Sequence, residues 1–280
     1  MTEGGGGGGG GRVGGRGPVG DLEAILRARR DAGRKLLVPY VTGGLGDWTG
    51  VVRAAAAAGA DAIEVGIPFS DPVMDGPTIQ EASVRALAGG ATPGGIVADL
   101  AHLDVEVPLL VMLYYNLVFR AGHRRFARTL AGSGVAGAIV PDLPVDEIGD
   151  WARAADEAAV ATVLLAAPTT PDDRLSRICA RSRGFVYGAG LLGVTGERQS
   201  LSSAAAVMAK RLKAATDRPV LIGIGVSTAD QAREVTEVAD GVVVGSAIVR
   251  RVLEGGGPDE VGAFVAELRA GLDLGRAVEG

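Results

Sequence analysis

The chain has 280 residues, 47% of them apolar, and 33 acidic against 28 basic side chains, for a net charge of −5. That is enough for one large domain or two small ones, with material for a large core. No basic stripe appears, which argues against nucleic acid as the main partner, and no apolar run approaches the roughly 20 residues of a membrane span.

In chain order, Met1-Thr2-Glu3 is followed by Gly4 to Gly11 and more glycine up to Gly20. Such a run has maximal backbone entropy and nothing to bury. Residues 1–20 are therefore expected to be a disordered tail without a targeting segment, and residues 21–274 the folded domain. Short apolar runs then recur at Leu37–Val41, Ala62–Gly66, Pro108–Leu113, Gly137–Pro141, Ala161–Ala166, Gly184–Gly188, Pro219–Ile224 and Gly241–Val244. Helical patterns lie between them at Trp48–Ala58, Ile79–Ala88, Arg124–Ala131, Glu147–Ala158, Arg174–Ala180, Ala204–Ala215 and Ala229–Val238. Strands without polar alternation are buried on both faces, as in parallel sheets. Eight of them alternating with helices over about 250 residues predict a single-domain (β/α)8 TIM barrel. A doubly wound open sheet is the alternative, but no G-x-G-x-x-G follows the first strand.

One strand carries a carboxylate, Glu64, between Ala62-Ile63 and Val65, and an acidic, proline-broken loop with Asp71 and Asp75 follows it. An unpaired buried charge costs several kcal/mol. Glu64 is therefore expected to face a pocket, with Asp75 on the loop beyond it, since two carboxylates in different environments make an acid/base pair. The plainer reading makes Glu64 a strand-end residue and both aspartates turn residues.

Loops 67–77 and 189–201 are long for βα connections. The second is glycine-rich, as a mobile lid would be. Gly223-Ile-Gly225-Val-Ser227 and Gly245-Ser246-Ala247 follow the seventh and eighth runs, where barrels often bind phosphate at a helix N-terminus. Tight turns alone would also account for them.

Absences narrow the chemistry. The only lysines are Lys35, Lys210 and Lys213, none at a strand end, which disfavours a Schiff base. The only histidines, His102 and His123, have no metal-ligand spacing, so no metal site is expected. The single Cys179 falls in a helical pattern, reads as core, and suits a reducing cytoplasm. Carboxylate chemistry on a phosphorylated substrate remains. Tyr40, Tyr114, Tyr115, Asn116, Asp142 and Tyr187 fall at predicted strand ends, and such a set of tyrosines suits a pocket for a flat ring.

The segments Val38-Pro-Tyr-Val-Thr42, Ala60–Gln80 with its Glu-Val-Gly-Ile-Pro-Phe-Ser-Asp-Pro block, Tyr114–Phe119, Pro141–Pro144, Gly193-Val-Thr-Gly196 and Gly245–Val249 resemble the tryptophan synthase alpha subunit family over roughly residues 22–270. The resemblance implies retro-aldol cleavage of indole-3-glycerol phosphate to indole and glyceraldehyde 3-phosphate. It implies Glu64 as proton shuttle, Asp75 on the indole N–H, and Tyr187 positioning the substrate. Tyr40 and Tyr114 would line the substrate site, Thr195 would lock the lid towards Asp75, and Gly196, Gly225, Gly245 and Ser246 would hold the phosphate. It further implies a beta subunit in an alpha2beta2 heterotetramer, docked at Pro68, Asp71 and Pro72. Pyridoxal phosphate would belong to that partner, with no cofactor in this chain.

The sequence departs from the family pattern at Gly190-Leu191, at Tyr40 where Phe is common, and at Tyr115 where a smaller residue is common. The alternatives are a stand-alone lyase releasing free indole, another phosphate-barrel enzyme such as a sugar-phosphate isomerase, and an inactive barrel kept as an activator of its partner.

Overall fold

The structure, a computed structural model, describes residues 21–189, 198–223 and 225–274. Its strands are β1 (Leu36–Thr42), β2 (Ile63–Gly66), β3 (Leu109–Met112), β4 (Val135–Ile139), β5 (Ala161–Ala166), β6 (Val186–Ala189), β7 (Val220–Gly223) and β8 (Gly241–Val244). All pair in parallel and in chain order, and β8 returns to β1, which closes the barrel. This is the TIM barrel expected from the apolar runs. Pro39 is tolerated inside β1 because of where the partners change. Pairing with β8 ends opposite Pro39 and pairing with β2 begins at Tyr40, so a residue without an N–H falls at the handover.

The helices are α1 (Leu22–Asp31), α2 (Trp48–Ala57), α3 (Pro77–Ala88), α4 (Pro93–Ala101), α5 (Tyr115–Ala121), α6 (His123–Gly132), α7 (Gly149–Glu157), α8 (Asp172–Arg181), α9 (Arg198–Ala215), α10 (Ala229–Thr236), α11 (Ser246–Leu253) and α12 (Pro258–Leu274). Five of these, α1, α4, α5, α11 and α12, lie outside the repeating patterns read from the sequence, although a helix N-terminus was expected at Gly245-Ser246. His123 is the first residue of α6. Capping explains the starts of α1 and α4: the Asp21 side chain accepts from two first-turn amides, and Thr92 accepts from Gly95.

Strand parity sorts the core into layers. Leu37, Ile63, Val65, Leu109 and Val111 pack outward with the helices. Leu36, Val38, Ala62, Leu110, Ile139, Val163, Phe185, Leu221 and Val243 fill the interior, joined from below by Leu22 and Leu26 of α1. α1 is thus the plug of the barrel floor. It lies so close that a Cβ on Gly184 would meet Leu22 Cδ2 at 2.6 Å.

The same end is tied by a buried carboxylate. Asp61 is fully buried and accepts from the Leu37 amide at 2.9 Å, from Arg34 Nε at 2.7 Å, from Arg29 Nη1 at 3.1 Å and from Arg269 Nη1 at 3.2 Å. One side chain therefore links α1, β1, the start of β2 and α12. Arg269 is itself buried and would keep Asp273 and the Lys35 carbonyl, but removal of Asp61 takes a partner from three arginines at once and leaves the buried Leu37 amide without its acceptor. Asp61→Ala is expected to lower the unfolding free energy by about 3–5 kcal/mol. Urea denaturation checks this; a loss under about 1 kcal/mol would show that the neighbouring carbonyls satisfy the arginines.

Candidate active site

At the opposite end, parity turns Glu64 inward. It stands two residues beyond Ala62, which faces the interior, and between Ile63 and Val65, which face out. It is 1% exposed. Among the described residues, the buried side-chain polar atoms without a hydrogen-bond partner are both Glu64 carboxyl oxygens and the Thr42 hydroxyl. Burial, and then the charge of Asp75, push the Glu64 carboxyl up to about 8. Such a group is available as both acid and base near neutrality.

Asp75 belongs to the loop between β2 and α3, which is held at several points. The Ile67 amide donates to Met112 O at 2.8 Å. The Met74 amide donates to the Tyr114 hydroxyl at 2.9 Å, Phe69 stacks on Tyr114 at 5.0 Å, and Gln80 Nε2 donates to Asp75 O at 2.8 Å. Burial raises the Asp75 carboxyl, and the Tyr114 hydroxyl works against that rise. Tyr114 is thus the post on which the acidic loop is hung.

Tyr40 pairs directly with Glu64 across the β1–β2 ladder. Its ring lies over Gly66, where any Cβ would overlap the hydroxyl. Tyr187 of β6 lies likewise over Gly223 of β7, in space that a Cβ would fill. Burial raises both phenols, and the charges of Asp75 and Glu64 raise them further. Tyr40, Tyr114 and Tyr187 thus surround the two carboxylates as neutral hydroxyls.

The glycine loops complete the rim. Gly225 has φ +55° with nothing near its Cβ position, so it needs no side chain and leaves open space. Gly245 is the N-cap of α11, and no side chain caps that helix. Its Cβ position lies 3.5 Å from Tyr40 Cβ. Ser246, the first residue of α11, is exposed. An uncapped helix start beside an open loop suits an anion. Thr195 and Gly196, with Gly190 and Leu191, lie outside the described residues.

Other residues expected at strand ends are not part of this cluster. Tyr115 begins α5, and its hydroxyl meets His123 Nε2 at 2.9 Å. Asn116 is exposed on the same helix. Asp142 accepts from the Tyr115 amide at 2.8 Å and so caps α5. Of the residues expected to meet a partner, Asp71 is exposed, Pro72 is half-buried and Pro68 is buried; Val73 and Met74 are exposed beside them. Thr42 escaped the sequence reading. It ends β1 in an otherwise apolar run, so its parity with Tyr40 was the available signal. Among the described residues no group of three or more metal-binding side chains occurs, and no helix is long and apolar enough to cross a membrane.

Known proteins match this chain over most of its length. The family model described as tryptophan synthase alpha chain matches residues 26–269. The tryptophan synthase alpha chain of Streptomyces coelicolor is 44% identical over 264 residues, which cover 92% of this chain and 97% of that protein. A structure of Mycobacterium tuberculosis tryptophan synthase matches with a TM-score of 0.82 and 40% identity, over 90% of this chain and 97% of that one. Tryptophan synthase subunit alpha of Legionella pneumophila matches with a TM-score of 0.82 at 28% identity, over 91% and 98%.

The raised Glu64 carboxyl makes a prediction about stability. Between its ordinary value of 4.5 and about 8, the folded chain keeps a proton that the unfolded chain releases. Wild-type stability should therefore fall as pH rises through that window. Glu64→Gln has no such proton and should give a flatter profile. Urea denaturation at a series of pH values checks this, and identical slopes would show a Glu64 of ordinary acidity.

Proposed function

The chain belongs to the tryptophan synthase alpha chain family, and we propose that Glu64 and Asp75 carry its reaction, the cleavage of indole-3-glycerol phosphate to indole and glyceraldehyde 3-phosphate. The enzyme is a carbon–carbon lyase of tryptophan biosynthesis. The observation that carries the assignment of Glu64 is its buried carboxyl group with two unpartnered oxygens at the carboxyl end of the barrel. Such a group lacks what it needs until a substrate supplies it.

The reaction needs a proton on indole C3 and loss of a proton from the hydroxyl on the adjoining carbon. Glu64, raised to about 8, holds the first proton at neutral pH. Its delivery makes the ring an indolenine cation. The resulting carboxylate then takes the hydroxyl proton, and the O–H electrons become the aldehyde C=O. The C–C bonding pair moves into the ring and restores aromatic indole. One carboxyl group gives and regains one proton, so no other acid or base is required. Asp75 would accept the indole N–H and offset the positive charge. The same negative charge raises Glu64, which links the two roles.

The ring would lie among Tyr40, Tyr114 and Tyr187, with Thr195 of the lid towards Asp75. The phosphate would lie at Gly196, Gly225, Gly245 and Ser246. A beta subunit carrying pyridoxal phosphate would dock over Asp71, Pro72 and the exposed Val73 and Met74, in an alpha2beta2 assembly. Relatives named as alpha chains favour this subunit role over a stand-alone lyase. The single buried Cys179 fits a reducing cytoplasm.

Glu64→Gln should reduce kcat by at least 10²-fold with little change in KM, because an amide keeps the shape but carries no proton. Asp75→Asn should also be severe. Steady-state release of indole from indole-3-glycerol phosphate checks both, and retention of a tenth of wild-type kcat by Glu64→Gln would remove it as the shuttle. Titration with a beta subunit should raise kcat to saturation, and Asp71→Ala should weaken that activation more than basal cleavage. Rates indifferent to the beta subunit would favour the stand-alone lyase.

A further inference from the structure

A third apolar cluster stands apart from the barrel interior and from the outer layer. It contains Tyr40 of β1, Ile79 and Ala82 of α3, and Val249 of α11, with Leu45, Met112 and Leu253 packed on it. These elements carry the two ends of the proposed site. α3 begins at Pro77, two residues after Asp75, and α11 begins at Ser246, just after Gly245. The helix that follows the catalytic loop and the helix that would face the phosphate therefore share one apolar cluster with Tyr40.

The two helices are joined again at their far ends. Arg85, in the last turn of α3, donates from Nη1 to the carbonyl of Leu253, the last residue of α11, at 2.9 Å. Its Nη2 pairs with Glu81 one turn back. A cation on the terminal carbonyl of α11 is charge-assisted and agrees with the helix dipole. The Arg85 side chain is 52% exposed, so the contact adds little to global stability. What it does is hold α3 against α11. The loop end is tied to α3, because Gln80 near the start of that helix donates to Asp75 O.

We infer that phosphate binding at α11 and the placement of Asp75 beside Glu64 are energetically coupled through the α3–α11 pair, with Arg85 as a positioning residue. The inference rests on the function proposed above. Packed helices shift as rigid bodies rather than deforming. An adjustment of α11 towards a bound phosphate is passed through Val249, Tyr40 and Ile79 at one end and through Arg85 at the other. The phosphate then helps set the carboxylate that meets the ring.

The test uses two ligands that each fill half of the site, glycerol 3-phosphate and indole, measured by calorimetry alone and together. In the wild type, saturating glycerol 3-phosphate should tighten indole at least ~5-fold, at the low end of typical site coupling. In Arg85→Ala that factor should fall below about 2-fold, and kcat/KM for cleavage should fall with it. Affinity for each ligand alone and the thermal midpoint should stay near wild type, which a merely structural role would not give. Arg85→Lys, which retains a cation but not the fork, should recover part of the coupling. Full coupling in Arg85→Ala, or none in the wild type, overturns the inference while normal cleavage leaves the function standing. A wild type that binds neither ligand and cleaves nothing overturns both.

Discussion

A carboxyl group buried without a partner is the constraint around which the top of this barrel is built. Burial alone disfavours the ionised form by several kcal/mol, and the negative charge of Asp75 adds to it. Glu64 answers by holding its proton up to about pH 8. Without the closed strand ladder around it, water would reach the group and restore ordinary acidity. The closed barrel therefore acts on the chemistry directly, by keeping solvent from one side chain.

The surroundings of Glu64 follow from the same need. The groups placed round it are neutral phenols, which can lie near a carboxylate in either protonation state. Glycine at Gly66 and Gly223 makes room for the Tyr40 and Tyr187 rings, so the pocket wall is formed by backbone as much as by side chains. Asp75 is the single charge held close. The loop that carries it is fixed by Tyr114 and Gln80 rather than by an ion pair. A cation there would neutralise Asp75 and lower Glu64 with it.

The two ends of the barrel thus treat buried carboxylates in opposite ways. At the floor, Asp61 is surrounded by three arginines and a backbone amide. Asp240 is held likewise by Lys213 and the Val220 amide. These groups are fully satisfied, and they join α1, α12 and the strand starts. At the top, Glu64 is left unsatisfied. Satisfied charges are concentrated at the floor, away from the proposed site, and unmet hydrogen bonding at the proposed site itself.

Much of the site was legible because its signals are local. Apolar runs separated by helical patterns were sufficient for the strand order, since β5 and β8 match their runs and the others shift by a residue or two. Glu64 in an apolar run, the acidic loop with Asp75, and the glycines after β7 and β8 are short-range features that chain order alone arranges at one end. The floor was not legible in this way. α1 belongs to no βα unit, and Asp61 meets Arg269 across 208 positions. The strand-end residues were sorted only by tertiary structure. Tyr115, Asn116 and Asp142 are near Tyr114 in sequence or in their predicted place. Yet α5 begins at Tyr115 and turns that side chain to His123, while Asp142 crosses from the next loop to cap the helix. Sequence determined which residues arrive at the mouth of the barrel. Closure and the start of one helix decided which of them face inward, because direction at a strand end depends on the register of neighbouring strands and not on the run itself.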